Sequence, residues 1–315
     1  MTKLTKPLLA RDVNEAKLKF PCYVLPKIDG AFAFIQESKL LARSLKPHEN
    51  LFVTQQYSNP LFEGLRGELI FGTNPREPDL CRNTSSALRR IQGEPETSLW
   101  CFDYVTPDTV NLTYHERRIL LESKVIHLRS QGFTNIQFIA SKVVNNLQEY
   151  EEAKNHFMSL GYEGIVVRNP DSKHKEGRSS EVKADLWRWK PYATAEIKVT
   201  KLGEELKNNN EAKTNELGRT ERSTHKDNLE GKNTLGYIVG TLLEPLKDFA
   251  GVVVAEAGTE VTIATGSLTE KECKYYWDNP DELMNMIAEF EYMSYGLKDK
   301  PRFSQFKRIR SEVDL

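Results

Sequence analysis

The sequence has few cysteines, and none stands where a metal site or a disulfide framework would need it. The four are spread over the chain without a Cys-x-x-Cys pair or a neighbouring histidine cluster: Cys22, Cys81, Cys101 and Cys273. This spacing favours a reducing compartment. The sequence also lacks an apolar run long enough for a membrane span, and it lacks a signal peptide. We therefore expect a soluble, cytoplasmic protein with no membrane partner.

An excess of charge of one sign is also missing. The 44 lysines and arginines are balanced by 45 aspartates and glutamates, which leaves a formal net charge of -1. A uniformly basic surface is thereby excluded, and any nucleic-acid-binding face must be local. With 315 residues, of which 39% are hydrophobic, the chain suits two domains or one large one.

A short turn between two β-type runs contains the first candidate residue. Residues 23–25 and 31–35 flank a Pro, Asp and Gly turn, a pattern that predicts a hairpin. The turn presents Lys27, with the carboxylate of Asp29 two residues further on. A lysine amine attacks only when unprotonated, and burial or a neighbouring cation can lower its pKa to allow this. Lys27 is therefore either a surface lysine on a hairpin or a nucleophile.

Polar side chains also occur at the ends of, or inside, other β-type runs of the first 190 residues. Those with chemical potential are Arg43 after the run 40–42, Glu68 within 65–71, Phe102 within 99–105, Glu163 before 164–168, and Arg188 and Lys190 on one face of 186–190. A carboxylate in such a place is costly unless it is paired or binds a metal. Helices are predicted over 113–130 and 147–160. This segment is expected to be α+β with antiparallel or mixed sheets.

After Pro191 the pattern changes to short strands at regular intervals. They are predicted at 195–202, 236–243, 252–256, 259–264, 289–292 and 303–309, with a helix near 271–285. Such strands are typical of a small closed barrel of the OB type. The polar stretch 203–234 is predicted to be an insertion or flexible loop. The expected domains are therefore residues 1–192 and 193–315.

The polar residues, in this order, resemble the covalent nucleotidyltransferase superfamily of ATP-dependent DNA ligases and mRNA capping enzymes. The matching motifs are Lys27-Ile28-Asp29-Gly30, Arg43-Ser44, Gly67-Glu68-Leu69, Phe102-Asp103, Glu163-Gly164 and Arg188-x-Lys190. Segments 6–10, 20–22, 177–179 and 298–310 are similar to small viral DNA ligases, and 222–226 resembles the latch with which they close around nicked duplex. The resemblance implies a nucleotidyltransferase domain followed by an OB-fold domain with a latch-like insertion.

The resemblance also implies roles for individual residues. Lys27, Asp29, Arg188 and Lys190 are expected to take part in the chemistry, with Lys27 becoming AMP-linked. The implied nucleotide contacts are Phe102 on adenine, Glu68 on ribose or metal, Arg188 and Lys190 on the transferred phosphate, and Arg302 and Arg310 on the triphosphate. The implied metal ligands are Glu68 and Glu163, and the implied DNA contacts are Arg43, Arg178, Arg222 and Lys226. ATP and Mg²⁺, with Mn²⁺ as a substitute, are the expected cofactors.

The expected function is the sealing of 3′-OH/5′-phosphate nicks in duplex DNA by a monomer, in replication or repair. The compact chain suggests a virus or phage, and hence the host cytoplasm or nucleus. With only 26 residues before Lys27, an NAD-dependent ligase is disfavoured. The alternatives are an RNA ligase, an mRNA capping guanylyltransferase, or a non-catalytic OB-containing nucleic-acid-binding protein.

Two positions depart from the family pattern. Phe32 stands where arginine is usual, which removes a cation expected near the nucleotide or the nick. Arg188 stands where lysine is usual, and arginine keeps its proton at neutral pH. If the family lysine donates a proton, adenylation should be slower here. If it only binds phosphate, arginine should serve as well.

Overall fold

The computed structural model describes residues 5–310. The first four and last five residues, which include the outer ends of both predicted domains, lie outside this part. The chain divides into two compact units between Lys190 and Pro191. Both units mix strands with a few helices, which confirms the predicted α+β class. No helix in the described part is long and apolar enough to cross a membrane.

The first unit contains two five-stranded sheets. Its strands are β1 (Leu8–Leu9), β2 (Arg11–Asp12), β3 (Cys22–Lys27), β4 (Ala31–Gln36), β5 (Lys39–Ala42), β6 (Leu65–Phe71), β7 (Thr97–Tyr104), β8 (Ile136–Phe138), β9 (Lys142–Val144), β10 (Gly164–Arg168), β11 (Gly177–Arg178) and β12 (Leu186–Trp189). Its helices are α1 (Leu51–Tyr57), α2 (Leu80–Arg89), α3 (Tyr114–Ser130) and α4 (Leu147–Ser159). The strand orders are β2-β12-β10-β3-β9 and β5-β4-β6-β7-β8.

The predicted hairpin around Lys27 is wrong, although both of its strands exist. Strand β3 pairs with β10 and β9, whereas β4 pairs with β5 and β6 in the other sheet. The turn after Lys27 therefore leads the chain from one sheet into the other. Gly30 is needed there, because a Cβ at this position would lie 2.6 Å from the carbonyl oxygen of Leu69. A turn signal predicts that the chain changes direction, but it does not specify with which strand the following strand pairs.

The two predicted helices of this unit are confirmed, and each begins at a side-chain cap. Thr113 and Glu116 form a capping box at the start of α3, and Asn146 accepts a hydrogen bond from the backbone of Glu149 at the start of α4. Helix α3 packs Leu121 and Leu128 against the face of the second sheet that carries Leu99. The opposite face of that sheet carries Ile70, which is buried in a separate cluster with Leu25 and Ile28.

In the second unit, five strands close into a barrel in the order β13-β16-β19-β21-β20. The elements of this unit are β13 (Tyr192–Asn208), β14 (Ala212–Thr214), β15 (Thr220–Arg222), β16 (Leu229–Leu242), β17 (Leu246–Lys247), β18 (Val253–Ala255), β19 (Glu260–Ala264), α5 (Glu270–Asp278), β20 (Ile287–Met293) and β21 (Arg302–Ile309). Ile197, Ile263 and Phe290 are fully buried in its core.

The polar stretch 203–234 is not a structureless loop. Strands β13 and β16 extend into it as a pair that reaches Asn208 opposite Leu229, and β14 and β15 form a small hairpin beyond them. Residues 211–214 and 219–228 are exposed. Because a ribbon with few buried positions shows no alternation of apolar and polar residues, its sequence resembles that of a loop.

Candidate active site

Lys27 lies at the end of β3 and is tied to the neighbouring strand. Its carbonyl oxygen accepts a hydrogen bond from the backbone N–H of Glu163 at 3.2 Å, and Gly164 stands opposite it in the ladder. Its ammonium donates a hydrogen bond to the Glu163 carboxylate. The Lys27 side chain is only 21% exposed. Lys27 is therefore an inward-facing residue of a site rather than a surface lysine on a hairpin.

Glu163 is shared by two cations. While Lys27 contacts one carboxylate oxygen, the Nζ atom of Lys190 lies 2.5 Å from the other, Oε1. Burial of Glu163 would raise its pKa, but the two ammonium groups outweigh burial and hold that pKa below its ordinary value. The three residues form an ion cluster of two positive charges and one negative charge.

The pKa of Lys27 is raised above its ordinary value, whereas a lowered pKa would favour the neutral amine that attacks. Burial lowers this pKa, but the carboxylates of Glu163, Glu68 and Asp29 together overcome burial and raise it. For Lys190, burial dominates and its pKa is lowered. Without nucleotide, the predicted nucleophile is thus stored as an ammonium ion.

Glu68 projects from β6 on the face of the second sheet opposite Leu99. It stands opposite Phe32 on β4 and Trp100 on β7. Burial raises the pKa of Glu68 to about 7, with Lys27 acting against that shift. A carboxylate in such surroundings is suited to a cation or to hydrogen-bond donors supplied by a ligand.

Phe102 lies at a bulge in β7. In the ladder with β6, Asp103 pairs with Arg66 and Cys101 with Gly67, so that Phe102 has no opposite residue. Its carbonyl oxygen accepts a hydrogen bond from the hydroxyl of Tyr114 at 3.1 Å. Bulges are often found beside active sites, where they redirect a side chain.

Other predicted site residues of this unit lie on strands or directly after them. Arg188 donates a hydrogen bond from Nε to Asp12 Oδ1 at 2.7 Å. Arg43 is exposed immediately after β5. Arg178 donates from Nη1 to the carbonyl oxygen of Ala10 at 3.3 Å. The role of Asp12 as partner of Arg188 had no signal in the sequence, because the two residues are far apart in the chain.

A buried charge network behind Phe102 was also not predicted. Both carboxylate oxygens of Asp103 are bonded to Arg117, at 2.8 and 3.1 Å, and one is also bonded to Arg168 at 2.9 Å. Burial acts to raise the pKa of Asp103, but the arginines hold it far below its usual range. An acid inside an apolar run was visible in the sequence, whereas its partners on α3 and β10 were not.

The remaining predicted site residues belong to the second unit. Arg302 donates from Nη1 to the carbonyl oxygen of Tyr295 at 3.2 Å, and Arg310 Nε lies 2.7 Å from Glu196 Oε1. Arg222 donates to the carbonyl oxygen of Asn210, and Lys226 is exposed.

Comparison with known proteins identifies the class and then the family. The cluster of Lys27, Glu163 and Lys190 lies at β3, β10 and β12 of one sheet, and the family match makes the protein an enzyme of the nucleotidyltransferase class. Residues 7–184 match the family model of the ATP-dependent DNA ligase domain, and the chain belongs to that family. It is an ATP-dependent DNA ligase. A comparison with curated protein sequences found no match.

Solved structures agree with this assignment. The chain is similar to Chlorella virus DNA ligase-adenylate, with 25% identity and a TM-score of 0.52 over 98% of this chain and 100% of that one. A second crystal structure of the Chlorella virus ligase-adenylate gives 27% identity and a TM-score of 0.52 over 98% and 99%. The ATP-dependent DNA ligase of bacteriophage T7, in complex with ATP, shares the fold at 13% identity, with a TM-score of 0.50 over 98% and 100%.

Proposed function

We propose that this ligase forms its covalent AMP intermediate on Lys27. The neutral amine attacks the α-phosphate of ATP, a nitrogen–phosphorus bond forms, and the bond to the pyrophosphate oxygen breaks. The amine must lose its proton first, and the proton leaves to a neighbouring base or to solvent. Support comes from the placement of Lys27 against Glu163, which fixes the amine before a nucleotide arrives.

Arg188 and Lys190 hold the transferred phosphate. Negative charge shifts onto pyrophosphate as the reaction proceeds, and cations aimed at these oxygens stabilise that change. Arg188 acts as a phosphate ligand rather than a proton donor, since its guanidinium stays charged and is oriented by Asp12. Asp29 contributes negative charge beside Lys27.

Glu68 and Glu163 are the residues that would hold Mg²⁺. The described part contains no group of three or more His, Cys, Asp or Glu that could hold a metal ion. Glu163 is close enough to Glu68 for its charge to raise the pKa of Glu68, and Mg²⁺ usually combines one or two carboxylates with water and substrate phosphates. The metal would compete with Lys27 and Lys190 for Glu163. Bound there, it would neutralise charge on the phosphate oxygens. Glu68 is also proposed to accept hydrogen bonds from the ribose, and Phe102 is proposed to stack on adenine.

The two units are a nucleotidyltransferase domain and an OB domain. The closed five-stranded barrel of the second unit, with α5 between β19 and β20, supports the OB assignment. The extended pair of β13 and β16 with its small hairpin is the proposed latch. Arg302 and Arg310 are the residues of this domain that would bind the triphosphate.

Nicked duplex DNA is the proposed substrate of a monomer. Arg43 and Arg178 are the proposed ligands of the nick 5′-phosphate, and Arg222 and Lys226 those of the duplex backbone. AMP passes from Lys27 to the 5′-phosphate, and the 3′-OH then attacks that phosphate and releases AMP. Binding should weaken as salt rises, because phosphate contacts release counterions.

The experiment is a sealing assay with purified protein, Mg²⁺ and a singly nicked duplex. ATP should support sealing of a DNA nick, and GTP should not. Arg178→Ala and Arg222→Ala test the proposed DNA contacts in the same assay. Lys274→Ala, which replaces an exposed lysine of α5, is the control. Sealing of RNA nicks alone would indicate an RNA ligase, labelling of the protein by GTP alone a capping enzyme, and neither reaction a non-catalytic binding protein.

A further inference from the structure

The ring of Phe32 packs against the ring of Phe102. Their centroids are 6.0 Å apart and the ring planes meet at 40°. Behind Phe32 lies the buried ring of Phe34, with a centroid distance of 5.9 Å. Phe32 and Phe102 are both only partly buried, so the pair ends at the surface of the site. The three rings form a row that leads from the protein core to Phe102.

The ladder does not fix Phe102, whose side chain packs instead against Phe32 and against the apolar cluster that contains Leu25 and Ile28. It is the unpaired residue of the β7 bulge, and Tyr114 anchors only its backbone carbonyl. In a bulge the extra residue is unpaired and the ladder is locally disrupted, so the position of its side chain depends on packing. Contact with Phe32 therefore restrains the side chain itself.

The identity of residue 32 also affects Glu68. The two residues stand directly opposite each other on β4 and β6. Directly opposed side chains in an antiparallel pair lie close enough to interact. Arginine at position 32 would therefore compete for the Glu68 carboxylate, whereas phenylalanine leaves it to other partners.

We propose that Phe32 is a positioning residue for the nucleotide base, holding Phe102 in the orientation that stacks on adenine. This inference rests on the proposed function, in which Phe102 is the stacking residue. Phe32, which stands where the family pattern has a cation expected near the nucleotide or the nick, would instead give aromatic support under the base.

The test is the affinity of the intact protein for α,β-methylene ATP with Mg²⁺, measured by calorimetry. Phe32→Ala should weaken binding by about two- to tenfold, the range for an aromatic pair, and Phe32→Tyr should restore it. Phe102→Ala should weaken binding by about five- to hundredfold, the range for base stacking. In the Phe102→Ala background, Phe32→Ala should cause no further loss.

Inorganic tripolyphosphate, which has no base, separates base positioning from general damage. Its affinity should be the same in wild type and Phe32→Ala. Equal losses for both ligands, or independent effects of the two substitutions, would overturn the inference. If Phe102→Ala weakens binding and Phe32→Ala does not, only the inference fails. If Phe102→Ala itself has no effect, the proposed stacking role fails with it.

Discussion

The ammonium of Lys27 and the carboxylate of Glu163 are ion-paired, and the backbone N–H of Glu163 donates to the carbonyl oxygen of Lys27. One residue thus fixes both the main chain and the side chain of the other. The position of the proposed nucleophile is determined before ATP binds, but its protonation state is the unreactive one. Loss of the proton is therefore a separate requirement of the first chemical step.

Replacement of Glu163 by Gln should lower the pKa of Lys27 in nucleotide-free protein. The substitution removes the carboxylate that contributes most to raising that pKa. NMR titration of protein carrying isotope-labelled lysine would measure the Lys27 pKa. Glu151→Gln is the control, since Glu151 pairs with the distant Lys154. An unchanged Lys27 titration in Glu163→Gln would contradict the account.

The raised Lys27 pKa also determines the pH dependence of stability. Because the pKa of Lys27 in the folded protein lies above its unfolded value, the Lys27–Glu163 pair contributes its full stabilisation at pH values below the ordinary lysine pKa. That stabilisation is lost as pH rises through the folded-state pKa. Alkaline denaturation of Glu163→Gln should consequently show a weaker fall in the free energy of unfolding than wild type.

If residue 188 only binds phosphate, replacement of Arg188 by Lys should leave the adenylation rate within about threefold, because both side chains offer a positive charge to the phosphate. Replacement by Ala should reduce the rate by about a hundredfold, as expected for loss of one group that stabilises developing charge. Single-turnover labelling measures both rates. A large gain in Arg188→Lys would instead support proton donation by the residue at this position.

Replacement of Gly164 by Ala should abolish adenylation. A Cβ there would lie 2.2 Å from the carbonyl oxygen of Trp189, so that β10 and β12 must separate and displace Glu163 from Lys190. Gly218→Ala is the control, because its Cβ would meet nothing within 4 Å, and its φ of +74° adds a backbone strain that is absent at Gly164. Equal activity of the two variants would contradict this explanation.

Replacement of Asp103 by Asn should cost about 3–5 kcal/mol of unfolding free energy, because it leaves buried arginines without their counter-ion. Urea denaturation measures this loss, and the exposed pair of Lys274 and Asp278 provides the control Asp278→Asn. Since the folded pKa of Asp103 is depressed, its contribution is present above the ordinary aspartate pKa and is lost as pH falls through the folded value. Equal stability of the two variants would be the contrary result.

Local sequence patterns identified β6 and the helices α3 and α4 because each has its own repeat and boundary signals. The seven-residue α1 has too few turns for a period to be visible, and it went unpredicted. Likewise, Pro26, Asp29 and Gly30 around Lys27 predicted a reversal of the chain. The joining of two sheets there depends on β10 and β6, which lie far along the chain.

In the candidate site, too, local patterns could be predicted from the sequence, whereas contacts between distant segments could not. Glu68 and Glu163 could be predicted as site residues because they are carboxylates next to apolar runs, and a buried carboxylate is costly unless it is paired. The sharing of Glu163 by Lys27 and Lys190 required three strands to be brought together. The contact of Phe32 with Phe102 depends on a bulge, for which a single sequence offers no signal.

The most direct test of the account is to locate the AMP. The protein is incubated with Mg²⁺ and ATP radiolabelled at the α-phosphate, then denatured, digested and mapped, beside Lys27→Arg. That variant keeps a cation for Glu163 but offers no amine. We expect label on the peptide that contains Lys27 and none in Lys27→Arg. Label on another lysine, or label that persists in the variant, would contradict the assignment of Lys27 as the nucleophile.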